Sequence, residues 1–268
     1  MTSVPEHELP RSSPHALSTL GVVLVAAGRG ERLGAGKPKA FVELGDRTLI
    51  EHCISTVTAI PGGGHLVIVV PEELAAEALA LVAAAAPGAT GWIVSVTPGG
   101  RERHESVRFG VDALPEHVDI VLVHDAARPL APASLFERVA AEVRRTGASV
   151  IPALRVADTL KRVGDDGVVH ETVDRAPLVA VQTPQGFPRL GLAAAHDRLG
   201  AGPSGPSTPG SSSASAHAGD PTDDAEVVQR AGGTVRTVAG DVLAHKLTTP
   251  GDLTLLAALL HSQTGGSR

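Results

Sequence analysis

Aromatic side chains are scarce: the 268 residues include four Phe, one Trp and no Tyr. Val, Leu, Ile and Ala must therefore fill the interior, and β-branched runs alternating with Ala-rich runs suit a parallel sheet covered by helices. A single cysteine, Cys53, excludes an intramolecular disulfide framework. It falls in the apolar, helix-like run Leu49 to Thr58 and reads as a buried structural thiol rather than a reactive one. Excess positive charge is also missing. A formal net charge of −6 argues against a nucleic-acid or membrane-surface binder, so an anionic substrate must be met by a local cluster of basic residues. No stretch approaches the roughly 18 consecutive apolar residues that span a bilayer. The first 18 residues hold three prolines and acidic groups but no apolar core of a secretory signal. The expectation is a cytoplasmic protein. Apolar residues at 43% and charged residues at 19% allow an ordinary packed core, in one large α/β domain or two small ones.

Strand candidates are apolar, β-branched runs: Leu20 to Ala26, His65 to Val70, Trp92 to Val96 and Val118 to Val123. Helical patterns follow the first three, at Thr48 to Ala59, Pro71 to Ala86 and Glu102 to Leu114. Thr48 with Glu51 three residues later forms a capping box. This alternation predicts an α/β fold, a Rossmann-like, doubly wound, mostly parallel sheet whose ligands bind beyond the carboxyl ends of the strands. From Ala153 to Thr183 helical periodicity fades, and Asp165-Asp166-Gly167 reads as a turn between two extended runs, predicting a protruding β-arm. Gly200 to Asp220 is a Gly/Ser/Pro-rich insertion of flexible type. A helix at Asp223 to Ala231, a strand at Thr234 to Val238 and a helix at Pro250 to Leu260 close a single domain over residues 19–262, between tails 1–18 and 263–268.

Ala26-Ala27-Gly28-Arg29-Gly30-Glu31-Arg32-Leu33, followed by Lys37-Pro38-Lys39, lies just after the first strand. Glycines there let backbone N–H groups approach phosphate oxygens, although a plain tight turn uses them equally well. Leu33 stands where the dinucleotide fingerprint needs its third glycine, and no Gly-Lys-Ser/Thr of a P-loop occurs. A phosphate loop carrying Arg32 and Lys39 remains.

This run resembles the signature of sugar nucleotidyltransferases, most closely the 2-C-methyl-D-erythritol 4-phosphate cytidylyltransferase family, over roughly Leu20 to Leu260. Further motifs agree in order. The segment Val121-Leu-Val-His-Asp-Ala-Ala-Arg-Pro129 resembles the family's second hallmark, which implies that Asp125 and Ala126 line the nucleotide and polyol site. Arg128 there can grip an anion or brace the loop. Gly99-Gly100-Arg101-Glu102-Arg103-His104-Glu105-Ser106 resembles a cytosine-reading element in which Gly100 and Ser106 face the base; Arg101 departs from the usual acidic or polar residue, and N-capping of a helix is the plainer use. The resemblance implies a homodimer in which the arm carries Thr159 and Arg175 to the partner's polyol phosphate. It also implies that Thr183, in Thr183-Pro184-Gln185, and Thr222 lie near the acceptor, and that Lys246 meets the reacting phosphates. Thr222-Asp223-Asp224 serves equally as a helix cap.

Together these imply transfer of CMP from CTP to a polyol phosphate with Mg²⁺ as cofactor. Catalytic roles fall to Arg32, Lys39, Arg175 and Lys246, and substrate contacts to Ala26, Ala27, Gly28, Gly30 and the residues above. Metal ligands are not assigned. A ribitol-5-phosphate cytidylyltransferase is the nearest alternative, and a non-catalytic nucleotide sensor the more distant one.

Overall fold

The computed structural model describes residues 19–28, 38–85, 91–200 and 220–265. In chain order, strand β1 (Leu20–Val25) leads to a 3-10 turn at Lys39–Phe41 and a two-residue hairpin, β2 (Glu43–Leu44) and β3 (Arg47–Thr48). Helix α1 (Leu49–Thr58), β4 (Gly64–Val70), α2 (Ala75–Ala85), β5 (Trp92–Pro98), α3 (Arg103–Asp112) and β6 (Ile120–Asp125) follow. Then come α4 (Ala133–Thr146), β7 (Ser149–Arg155), β8 (Leu160–Val163), β9 (Val169–Val173), β10 (Val179–Val181) and β11 (Gln185–Pro188). Helices α5 (Arg189–Gly200) and α6 (Asp224–Arg230), strand β12 (Val235–Ala239) and α7 (Pro250–Gly265) complete the described chain.

β5, β4, β1 and β6 lie side by side, all parallel. β11 runs antiparallel between β6 and β7. Val150 of β7 pairs with Gly186 on one side and Arg236 on the other, so parallel β12 forms the far edge. The chain therefore builds outward from β1 to β5, then crosses to β6 on the opposite side of β1. That reversal is a topological switch point, and it opens a crevice beyond the carboxyl ends of β1 and β6.

Alternation along the strands sorts the core into two layers. Val22 and Leu24 of β1 point to the face covered by α1, α2 and α4, with Ile54, Leu66, Ile68, Leu122 and Phe136. Val23 points to the other face, with Val67, Val69, Val107 and Val111 of α3, Phe187, Leu192 of α5 and Val227 of α6. A third cluster, Leu44, Leu49, Leu130, Leu247 and Leu256, fastens α7 to the β2–β3 hairpin.

The capping box forms as expected: the Thr48 side chain accepts from Glu51 N, and Thr48 N donates to Glu51 Oε2 at 2.7 Å. The sequence reading places no element between Pro129 and Ala153. The structure puts α4 there, with Leu135, Phe136, Val139, Ala140 and Val143 buried, ended by Gly147 at φ 68°, and then most of β7. It likewise adds β11 and α5 after Pro184. The arm is shorter than expected. Ala153 to Arg155 and β10 pair with each other inside the main sheet, and of the expected arm only β8 and β9 form a separate two-stranded sheet. Residues 263–265, expected in a tail, belong to α7. Residues 1–18 and 201–219, and with them nearly all of the Gly/Ser/Pro insertion, lie outside the described residues.

Candidate active site

The crevice at the switch point is a cleft of about 560 Å³. Its floor is the end of β1, Val25 to Gly28, and the end of β6, Asp125 to Ala127; Gly100 and Ser106 close one side. Lys39, Arg103 and Lys246 bring positive charge to it from three separate parts of the chain. A larger neighbouring hollow of about 780 Å³ shares Ala27, Gly100 and Arg101, but Glu72, Glu73, Glu105 and Asp112 outweigh its cations. Phosphate chemistry belongs in the smaller, cationic cleft.

Asp125 is the hub. Its Oδ1 accepts from Arg103 Nη2 at 3.1 Å and Nε at 3.3 Å, and its Oδ2 from Lys246 Nζ at 2.8 Å. Burial alone would raise this carboxyl; Arg103 first and Lys246 next outweigh it and hold it well below the usual carboxylate range. Arg103 also pairs with Asp224 Oδ2 at 2.8 Å, a fully buried carboxylate at the start of α6. Burial works against the guanidinium, but Asp224 and Asp125 together lift its pKa above the ordinary range and keep it charged.

The backbone of Asp125 is set by a buried relay. Thr183 Oγ1 accepts from Asp125 N at 3.1 Å and lies 3.1 Å from His124 Nδ1. Arg128 O can only accept, so His124 Nε2 is the protonated nitrogen, donating to it at 3.2 Å; in the neutral ring Nδ1 then accepts the threonine proton. That tautomer fits a neutral ring. Burial pushes His124 down to about 4, against the pull of Asp125. The Cys53 thiol, 3.8 Å from Ala126 O, is buried and its pKa is likewise raised by desolvation, as expected of a structural cysteine.

The sequence-derived site is thus partly assembled and partly reassigned. Ala26, Ala27, Gly28, Lys39, Gly100, Ser106, Asp125, Ala126 and Lys246 line the cleft. Gly30 and Arg32 lie outside the described residues. Ser106 lines the cleft wall, but its hydroxyl is taken up within the loop, accepting from Gly100 N at 3.0 Å and donating to Glu102 O at 3.1 Å. The same loop leaves no space at Gly99, where a Cβ would stand 2.5 Å from Ala27 Cβ. Thr183 is buried and acts on Asp125 through its backbone. Arg128 braces: Nη1 donates to Ala244 O at 2.6 Å and Nη2 to Val181 O at 3.2 Å. Thr222 donates from N and Oγ1 to Glu226 Oε2 at 2.8 and 2.9 Å, the capping use of that segment. Thr159 and Arg175 are exposed on the arm, outside the residues lining this chain's cleft. Arg103 and Asp224 form the ion pair that sequence reasoning missed. Arg103 stood inside the quoted Gly-Gly motif, but its partner lies far along the chain and no spacing links them.

A doubly wound α/β sheet with a cationic cleft at its switch point defines a nucleotide-binding class of protein, equipped for phosphate esters. Comparison with known proteins narrows the class. The family model for 2-C-methyl-D-erythritol 4-phosphate cytidylyltransferase matches residues 20–262. A bifunctional IspD/IspF enzyme of Clavibacter michiganensis is 48% identical over 246 residues, 92% of this chain and 55% of that protein. The 2-C-methyl-D-erythritol 4-phosphate cytidylyltransferase of Streptomyces avermitilis is 40% identical over 257 residues, covering 93% of this chain and 94% of that one. The solved structure of the Thermus thermophilus enzyme of that name superposes with a TM-score of 0.66 at 30% identity, over 89% of this chain and 98% of that one. The chain belongs to the 2-C-methyl-D-erythritol 4-phosphate cytidylyltransferase family.

Proposed function

We propose that this protein transfers CMP from CTP to 2-C-methyl-D-erythritol 4-phosphate, giving 4-diphosphocytidyl-2-C-methyl-D-erythritol and pyrophosphate, a step of non-mevalonate isoprenoid biosynthesis. The carrying observation is the convergence of Lys39, Arg103 and Lys246 on one cleft around Asp125, in a chain of this family. An acceptor phosphate oxygen attacks the α-phosphorus in line, and pyrophosphate departs. A phosphate oxyanion needs no general base, so catalysis rests on alignment and on cations around a crowded negative transition state. Lys39, with Arg32 from the segment after Gly28, takes the triphosphate; Lys246 aligns the acceptor phosphate. The Gly99–Gly100 loop, closed by Ser106, shapes the pyrimidine end of the cleft.

Magnesium is part of this reading. Among the described residues no three His, Cys, Asp or Glu side chains gather into a metal cage. Asp125 is the one buried carboxylate on the described lining, and its oxygens already accept from Arg103 and Lys246, so a magnesium ion there would be held mostly by phosphate oxygens. Bound so, magnesium would neutralise charge on the triphosphate.

A homodimer and a cytoplasmic address complete the proposal. Val163, Val168 and Val169 on the arm and Leu178, Val179 and Val181 beside it are exposed apolar residues, and a lone two-stranded sheet is marginal in water. Exchange of arms would cover them and deliver Thr159 and Arg175 to the partner's cleft. No helix among the described residues is long and apolar enough to cross a membrane.

A panel of nucleoside triphosphates against polyol phosphates, scored by pyrophosphate release, tests the assignment. CTP with 2-C-methyl-D-erythritol 4-phosphate should dominate. Preference for ribitol 5-phosphate would reassign the acceptor, and binding without release of pyrophosphate with any pair would leave a sensor.

A further inference from the structure

Lys246 is flanked by residues that reach one carboxylate. His245 Nε2 lies 2.8 Å from Asp252 Oδ1. Asp252 Oδ2 accepts from the backbone N–H groups of Thr248 and Thr249 at 2.8 and 2.7 Å, and from their hydroxyls at 2.6 and 3.0 Å. Asp252 itself belongs to the first turn of α7 and is not part of the cleft lining. Hydrogen bonds from Thr248 first, and from His245 next, hold its carboxyl well below the usual carboxylate range.

The segment around Lys246 is tied at other points too. Ala244 O accepts from Arg128 Nη1 at 2.6 Å, and Leu247 N donates to Ala127 O at 2.8 Å. The Leu247 side chain is buried with Leu44, Leu49, Leu130 and Leu256. A helix cap needs only the Thr248 and Thr249 contacts. The His245 contact reaches back across Lys246 and closes residues 245–249 into a loop around it.

We propose that Asp252 is a positioning residue for Lys246: by gathering His245, Thr248 and Thr249 onto one carboxylate, it fixes the backbone from which the Lys246 ammonium reaches the cleft. Naming the polyol phosphate as the group Lys246 then aligns rests on the proposed function. Loss of Asp252 leaves the lysine present but free to swing away from Asp125, so the acceptor suffers and the nucleotide does not.

The test uses the full chain as wild type, Asp252→Ala and His245→Ala, the last sparing the Thr248 and Thr249 bonds and the cap. The first readout needs no turnover: acylation of Lys246 by an amine-reactive ester, followed by peptide mass spectrometry, with Lys161 on the arm as internal reference. Lys246 should label several times faster in Asp252→Ala and moderately faster in His245→Ala, because its ion pair with Asp125 is loosened. The second readout is steady-state kinetics. The KM for 2-C-methyl-D-erythritol 4-phosphate should rise roughly tenfold in Asp252→Ala, the scale of losing an outer partner of a functional group, with the KM for CTP nearly unchanged. Unchanged Lys246 labelling in folded Asp252→Ala, or in folded His245→Ala if Asp252→Ala does not fold, overturns the proposal. So does an equal rise of both KM values. If wild type fails to turn over any substrate pair, the functional assignment falls, while the labelling experiment still decides the positioning role.

Discussion

Asp125 holds two cations at once, and it does so from a peptide whose N–H is fixed by Thr183. Neutral His124 completes that support, and its burial has a measurable consequence. In the unfolded chain the imidazole takes a proton near pH 6.5; in the native state it resists until about pH 4. The unfolded state therefore binds more protons between these values, and stability falls as the pH is lowered through that window. The loss should reach about 3 kcal/mol at the lower end, at about 1.4 kcal/mol per pKa unit. Asp125 acts further down: its depressed carboxyl contributes stability that is full above the ordinary carboxylate range and is lost progressively as the pH falls from that range to its lowered value. Urea unfolding at a series of pH values, with and without His124→Gln, should separate the two, the variant flattening the slope between pH 6.5 and about 4. A His124 ring resonance titrating near 6.5 would refute the neutral-relay account. Residues of this kind were only half legible. Asp125, Lys39 and Lys246 carry charge in motifs and announce themselves. The family resemblance alone places Thr183 and Ser106 at the substrate, and nothing in the sequence tells that their hydroxyls are spent on Asp125 N and Gly100 N.

At the scale of elements, local rules read well where both partners are near in sequence. The Thr48–Glu51 box needs three residues of spacing, and β1, β4 and β5 declare themselves as apolar runs. Helix α4 was readable in principle, since Leu135, Phe136, Val139, Ala140 and Val143 follow the helical period, but it is bracketed by Pro132 and a long non-helical stretch. Strand β11 is four residues, two of them Gly and Pro, and becomes a strand only because β6 and β7 pair with it on either side. Helix α3 carries Arg103 and Ser106 and owes its depth to Gly110. A Cβ there would collide with Val23 and lie 2.9 Å from Val69 Cγ2. Both neighbours are β-branched and stiff in strands β1 and β4, so they cannot give way cheaply. Gly110→Ala should destabilise the fold by about 1–3 kcal/mol, the usual cost of overpacking, read as a lowered urea midpoint. A midpoint equal to wild type would mean that α3 stands further off the sheet.

For the whole molecule, strand order carries the functional logic. Crossing from β5 to β6 past β1 is what brings residues 26–28, 39, 103, 125 and 246 to one crevice. The sequence predicted that crevice from the alternation of strands and helices, but not which distant residues would pair across it. The proposed dimer is the next level. If arms are exchanged, Lys39 and Arg175 of one active site come from different subunits. Lys39→Ala and Arg175→Ala should each lose roughly two orders of magnitude alone, yet their mixture after subunit exchange should recover up to roughly a quarter of wild-type turnover, because half of the dimers then hold one intact site. No recovery, with dimers confirmed by sedimentation, would place Arg175 outside the site.

The central claim is that cations from distant segments grip one transition state. It is tested most directly by a double-mutant cycle on kcat/KM for CMP transfer to 2-C-methyl-D-erythritol 4-phosphate, using Lys39→Ala, Lys246→Ala and the double variant. Each single change should lower the rate by roughly two orders of magnitude, and the double variant should lose clearly less than the product of the two, since the groups act as a unit. Losses that multiply independently, or a folded single variant with near-wild-type turnover, would contradict it.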